Sequence, residues 1–122
     1  YVSTNQGTGS NIRLYMAGLT SNYADFGAAP ATGAWHHLAF ARNGASVICY
    51  LDGVQKGSAW SVGTSSATVV GSGYVNIIGA YLSGSSSTRL YYNGYIDDLR
   101  ITKGYARYTS NFTPPTAALP NY

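Results

Sequence analysis

Glutamate is absent from this 122-residue chain. The four acids are all aspartates, Asp25, Asp52, Asp97 and Asp98, and only 9% of residues are charged. An ordinary soluble domain carries roughly a quarter. Helices of such domains expose faces rich in Lys and Glu, so this thin supply of charge argues against a helical protein. A single cysteine, Cys49, excludes an intrachain disulfide. Its neighbours Val47, Ile48, Tyr50 and Leu51 predict a buried free thiol in a strand. No apolar run approaches the ~20 residues that cross a bilayer as a helix, so membrane insertion is not expected. The opening residues Tyr1, Val2 and Ser3 carry neither a methionine nor a signal-peptide pattern, and read as a piece of a longer polypeptide. The net charge of +3 arises from few acids rather than from many bases. The seven Lys and Arg form no basic cluster in sequence, so nucleic acid is not an expected partner.

What the chain does have is glycine, at 15 residues, and tyrosine, at 12. The length suits one domain. Residues 12–16 read as a strand, 23–26 as a short one, and 28–34, with Pro30 and Gly33, as a loop. Residues 35–42 predict a strand and residues 46–51 its return. Asn43 and Gly44 between them suit the positive φ of a type I′ turn. Asp52 and Gly53 make a second such turn, leading into residues 54–56. Period two puts Val47, Cys49 and Leu51 on one face, the core face. An edge strand at 67–70, a strand at 74–81, a loop at 83–87, and extended structure at 89–92 and 95–102 follow. Residues 103–112 predict an irregular helical turn, which Pro114 and Pro115 end. Short strands at this spacing mean an all-β sandwich.

Four ordered motifs carry a family resemblance. Trp35, His36, His37 and Leu38 resemble a tryptophan, any residue, histidine, aliphatic pattern. Tyr50, Leu51, Asp52 and Gly53 resemble a hairpin signature. Ile78 and Gly79 resemble an aliphatic-glycine strand. The run Gly94, Tyr95, Ile96, Asp97, Asp98, Leu99, Arg100, Ile101 resembles a closing strand. Together they are similar to concanavalin A-like, laminin G-like jelly-roll domains of the kind found in bacteriophage virion and tail proteins. The resemblance implies an antiparallel β-sandwich jelly roll over residues 1–116 with a tail at 117–122. Members usually carry further N-terminal residues that supply the first strands, one of them beside the closing strand. Either this chain folds on a reduced sheet, or another segment or chain completes it. An unpaired edge invites association, so an oligomer or attachment to a longer chain is expected.

The resemblance implies a non-catalytic recognition module, located on a virion and otherwise extracellular, whose partner is a host-surface glycan. The alternative is a structural domain packed against other virion subunits. Related jelly rolls include glucanases, which place two glutamates on one face of a strand. Glycoside hydrolysis needs two carboxyl groups about 5–5.5 Å or about 6.5–9.5 Å apart. Neighbours such as Asp97 and Asp98 point to opposite faces of a strand, so an enzyme is not expected. Laminin G-like domains often bind Ca2+ through aspartates, which makes Asp97 and Asp98 the candidate ligands. Calcium takes about six to eight oxygens, more than this pair supplies. The plainer reading has Asp97 accepting backbone hydrogen bonds and Asp98 pairing with an Arg such as Arg100.

His36 and His37 diverge on a strand and cannot chelate one ion together; His37 reads as a hydrogen-bonded core residue. The aromatic residues are the best functional lead, because exposed rings stack on the apolar faces of sugars. Trp60, in a loop of small polar residues, Tyr81, Tyr91, Tyr92 and Arg89 are the candidate ligand contacts, against the reading that these rings cover the sandwich. Arg89, Arg100 and Arg107 could meet anionic glycans, although anchoring local acids or backbone carbonyls is the plainer role.

Overall fold

The computed structural model describes residues 2–4, 10–16, 21, 23–64, 77–82 and 89–120, with the backbone alone at 2–4, 81–82 and 89–90. Among the described residues there are eight strands and no helix. They are β1 (Val2–Thr4), β2 (Asn11–Tyr15), β3 (Tyr23–Ala28), β4 (Leu38–Asn43), β5 (Ser46–Leu51), β6 (Val54–Ser61), β7 (Ala80–Leu82) and β8 (Arg89–Tyr91). All pairings are antiparallel. The strand order is β1-β2-β3 in one sheet and β4-β5-β6 in a second, with β7 and β8 forming a two-stranded ribbon.

The two three-stranded sheets face each other across the core. Ile12 of β2 and Phe26 of β3 meet Val47 and Cys49 of β5, and Val62 closes one end. Leu14, Met16, Phe40, Leu51 and Trp60 pack around them. Phe26 and Phe40 join the sheets with ring centroids 5.7 Å apart. Each side chain of this size stabilises the fold by about 1.5–3 kcal/mol when fully buried. Cys49 is a free, fully buried thiol, as its apolar flanks predict, and burial pushes its pKa up to about 11. The all-β antiparallel sandwich expected from the short strands is the architecture found.

The hairpins differ in detail. Asn43 pairs with Ser46, so the β4–β5 loop is Gly44 and Ala45 rather than Asn43 and Gly44. Only Gly44 has positive φ there (58°), the pattern of a type II′ turn, in which glycine takes the first loop position. At the β5–β6 turn both Asp52 (φ 52°) and Gly53 (φ 79°) are positive, as a type I′ turn requires. β4 starts at Leu38, not Trp35. Asp52 N donates to the His37 carbonyl and Asp52 Oδ1 accepts from His37 N. That side-chain contact ends the ladder, and Trp35 lies outside it. Trp60 lies in β6, which continues past Lys56 to Ser61, and not in a loop.

β5 is buried on both faces, and the second face is where the closing segment matters. Tyr50 is fully buried although it points away from the sandwich core. Tyr108 and Phe112 stack on each other at 3.6 Å and cover it, Phe112 lying 5.4 Å and Tyr108 6.4 Å from the Tyr50 ring. Phe112 N donates to the Gly53 carbonyl and Gln55 N donates to Asn111 Oδ1, each at 2.9 Å. The residues expected to form a helical turn are instead a non-helical strap hydrogen-bonded to the β5–β6 hairpin.

The segment 95–102 is not a strand. Asp98 has φ 50°, a left-handed conformation that interrupts extended structure, and its N–H donates to Asp97 Oδ1 at 2.8 Å. Residues 95–102 pair with no strand among the described residues. The strand expected at 74–81 is described from residue 77, where strand structure begins at Ala80. The edge strand expected at 67–70 and the loop at 83–87 lie outside the described residues.

Candidate functional site: a groove along the closing segment

The irregular segment 95–103 borders two adjoining concavities. A larger open one of about 450 Å³ is walled by Leu99, Arg100, Ile101, Lys103 and Arg107, with Leu119 and Pro120 opposite. A smaller one of about 130 Å³ is bordered by His36, His37, Asp97 and Pro115. Asp98 and Leu119 line both, so the two adjoin. Trp35, next to His36 in the chain, packs against Tyr95, and neither ring lines the two concavities. Their ring centroids are 6.4 Å apart with planes 47° apart, and they are 69% and 85% exposed. Basic side chains thus border the larger concavity, while the exposed aromatic pair adjoins in sequence the His36 and Asp97 that border the smaller one.

An aspartate holds the loop that carries His36 and His37. Asp52 Oδ2 lies 2.7 Å from His36 Nδ1, and Oδ1 holds His37 N, so one carboxylate ties the loop 35–37 to the hairpin turn. These contacts, the His36 ring first and then the His37 N–H, hold Asp52 below the usual carboxylate range. An imidazole on a carboxylate is also the orienting half of a hydrolase triad. Among the described residues no Ser, Thr or Cys hydrogen-bonds to His36 to complete one. His37 stacks edge-on against Tyr108 and Phe112. Its Nδ1 is buried with no hydrogen-bond partner, so this ring is held by packing and its backbone contact rather than by the hydrogen bond expected of it.

Asp97 and Asp98 were expected on opposite faces of a strand. With the strand broken at Asp98, both border the smaller concavity. Asp97 accepts a backbone hydrogen bond as the plainer reading expects. No group of three or more His, Cys, Asp or Glu suited to a metal occurs among the described residues, and two carboxylates fall short of a calcium shell. No calcium site is assigned to this pair.

The other expected contact residues are spread over the surface. Trp60 is half-buried against the core. Tyr91, which ends β8, is 75% exposed, and Tyr92 just beyond it is 54% exposed. Tyr92 N donates to the Gly79 carbonyl, and Ile96 Cδ1 also approaches Gly79, so this pair borders the closing segment. Tyr81 pairs with Leu90 and Arg89 with Leu82 in the β7–β8 ribbon, and their side chains lie outside what is described. Arg100 donates to the Pro120 carbonyl, as expected of a backbone anchor. Arg107 Nε donates to Thr102 Oγ1 at 2.8 Å. Sequence reasoning missed Trp35, because it sat in a segment read as a regular strand. The signal available was the tryptophan immediately before the paired histidines.

The fold is an antiparallel sandwich with concavities along its closing segment. Comparison with known families places it further. The family model described as the concanavalin A-like lectin/glucanases superfamily, of the laminin G type, matches residues 1–107. The chain belongs to this family. Comparisons with curated proteins and with solved structures found no match. Lectin-type laminin G domains are binding modules and are generally non-catalytic.

Proposed function

We propose that this domain is a non-catalytic recognition module that binds carbohydrate at the exposed Trp35 and Tyr95 pair. The observation that carries the reading is the Trp35 and Tyr95 pair, two tilted rings left in solvent beside a polar cavity. Aromatic rings expose flat apolar faces that match the C–H faces of sugars, while Asp97 and the His36 ring offer hydrogen-bonding groups alongside. Tyr91 and Tyr92 extend the exposed aromatic surface. By resemblance, the setting is a phage virion or tail protein and the target a host-surface glycan.

A second reading has its own support. Ile96, Leu99 and Ile101 are 51%, 58% and 77% exposed on the closing segment. Apolar side chains so displayed suit a protein contact, as in a decoration or assembly domain. A glycan array probed with the full-length protein, with calcium and again with chelator, separates the two. Reproducible binding that falls at least about tenfold on Trp35→Ala or Tyr95→Ala supports the lectin reading. Absence of glycan binding by a folded protein, with oligomer dissociation on Leu99→Asp, supports the structural one.

A further inference from the structure

The chain has two histidines and four aspartates. All but Asp25 gather at one place, from three segments far apart in sequence. His36 and His37 precede β4, Asp52 sits at the β5–β6 turn, and Asp97 and Asp98 lie on the closing segment. His36 stands at their junction. Its Nδ1 lies 2.7 Å from Asp52 Oδ2, and it borders the smaller concavity together with His37, Asp97 and Asp98. Among the described residues no Lys or Arg lines that concavity. Arg100, Lys103 and Arg107 face Asp98 from the other side, in the larger concavity. Asp52 and Asp97 are therefore the carboxylates that His36 answers. The His37 ring lies against Tyr108 and Phe112 with its Nδ1 buried, whereas His36 is open to solvent and exchanges a proton freely.

The exposed aromatic pair flanks this junction in the chain. Trp35 directly precedes His36, Tyr95 closely precedes Asp97, and their ring centroids are 6.4 Å apart. Asp52 ties down the Trp35 side at three atoms. Oδ2 meets the His36 ring, Oδ1 accepts from His37 N at 2.8 Å, and Asp52 N donates to the His37 carbonyl at 2.8 Å. We propose that Asp52 and His36 position Trp35 against Tyr95, and that protonation of His36 tightens this arrangement, so that the pair is set in mildly acidic solution and loosened in alkaline solution. The inference rests on the carbohydrate reading above and names the regulation of that site. With His36 charged, its link to Asp52 is a charge-assisted hydrogen bond, about twice as strong as the neutral one. The same charge offsets Asp97 across the concavity. With His36 neutral that offset is gone, and repulsion between Asp52 and Asp97 drives apart the segments that carry the two rings. The window follows from the groups involved. Tightening is lost as pH rises through the histidine range, about pH 5 to 8. Asp52 is held below the usual carboxylate range, by the His36 ring first, so its charge persists down to about pH 4 and below. Both charges coexist between those limits.

The test labels the protein with fluorotryptophan and follows its two indoles, Trp35 and Trp60, by fluorine NMR at about pH 5.5 and about pH 8, on either side of the ordinary imidazole titration. Trp60, packed against the core, is the internal reference. The expected result is transverse relaxation of Trp35 at least about twofold slower at the higher pH, the mark of a freer ring, with Trp60 unchanged. His36→Gln keeps a donor for Asp52 but no titrating group, and removes the pH dependence. Asp52→Asn, checked for a cooperative thermal transition, leaves Trp35 mobile at both pH values. The glycan array is run at the same two pH values, where wild-type binding is at least about threefold tighter at the lower one, because the rings are ordered in advance. In His36→Gln the two values are equal. A Trp35 signal that ignores pH, or a pH dependence that persists in His36→Gln, overturns the inference; array binding by that same protein, lost in Trp35→Ala, leaves the carbohydrate reading standing. A pH-dependent Trp35 signal that vanishes in His36→Gln, with no glycan bound at either pH, supports the positioning role and overturns the carbohydrate reading instead.

Discussion

Replacing Gly53 by alanine tests whether the C-terminal strap is part of the fold. Gly53 sits at φ 79°, and a Cβ built there falls 1.9 Å from the Phe112 carbonyl oxygen and 3.0 Å from Pro114 Cδ. To reach an ordinary 3.4 Å contact that oxygen must retreat by about 1.5 Å. The move breaks the hydrogen bond from Phe112 N to the Gly53 carbonyl, worth about 1 kcal/mol. It also loosens the Tyr108 and Phe112 pair over Tyr50. Partial exposure of rings worth about 1.5–3 kcal/mol each when buried brings the clash cost to roughly 2–4 kcal/mol. Alanine at positive φ adds its own strain of about 1–2 kcal/mol. Gly44→Ala is the matched control, because Gly44 has φ 58° and its Cβ would meet nothing within 4 Å. Urea and thermal unfolding of the two variants then separate strain from strap displacement. For a domain of this size the extra loss in Gly53→Ala corresponds to roughly 8–16 °C in midpoint. Limited trypsinolysis gives a local readout, with cleavage after Lys103 and Arg107 accelerated in Gly53→Ala and not in Gly44→Ala. Equal midpoints and equal cleavage in the two variants would refute the claim that the strap seals this face.

Two further outcomes follow from buried and charged groups. The Tyr50 hydroxyl is buried with no hydrogen-bond partner, so Tyr50→Phe is expected to be neutral or to stabilise by up to about 1–2 kcal/mol; a loss of more than 1 kcal/mol in urea unfolding would show that the hydroxyl is satisfied. Asp52 and Asp25 are both held below their ordinary pKa, Asp52 by His36 first and Asp25 by Asn11 first. Their stabilisation is therefore complete above the unfolded value of about 3.9 and is lost as pH falls through the folded one. The thermal midpoint should decline steeply below about pH 4, and Asp52→Asn should flatten that acid limb; an unchanged slope in the variant would rule out Asp52 as a contributor.

The all-β class was legible in the chain, because period two, the positive-φ turn at Asp52 and Gly53, and the core face of Val47, Cys49 and Leu51 are local properties. Each depends on a residue and its neighbours within a few positions, and those interactions survive in any context. The motif around Trp35, the Tyr50 hairpin and the closing run likewise point to the concanavalin A-like family without any knowledge of the fold. What failed were statements that needed a partner. Apolar alternation in 95–102 has the periodicity of a strand, but a strand exists only when another backbone takes its hydrogen bonds, and the left-handed Asp98 interrupts this one. Residues 103–112 carry no local signal that they should stack over Tyr50, because that packing is set by a hairpin some fifty residues earlier. The aromatic pair follows the same rule. Trp35 and Tyr95 lie far apart in sequence, and tertiary structure alone brings their rings together, since only the folded chain determines which side chains meet and which stay in solvent.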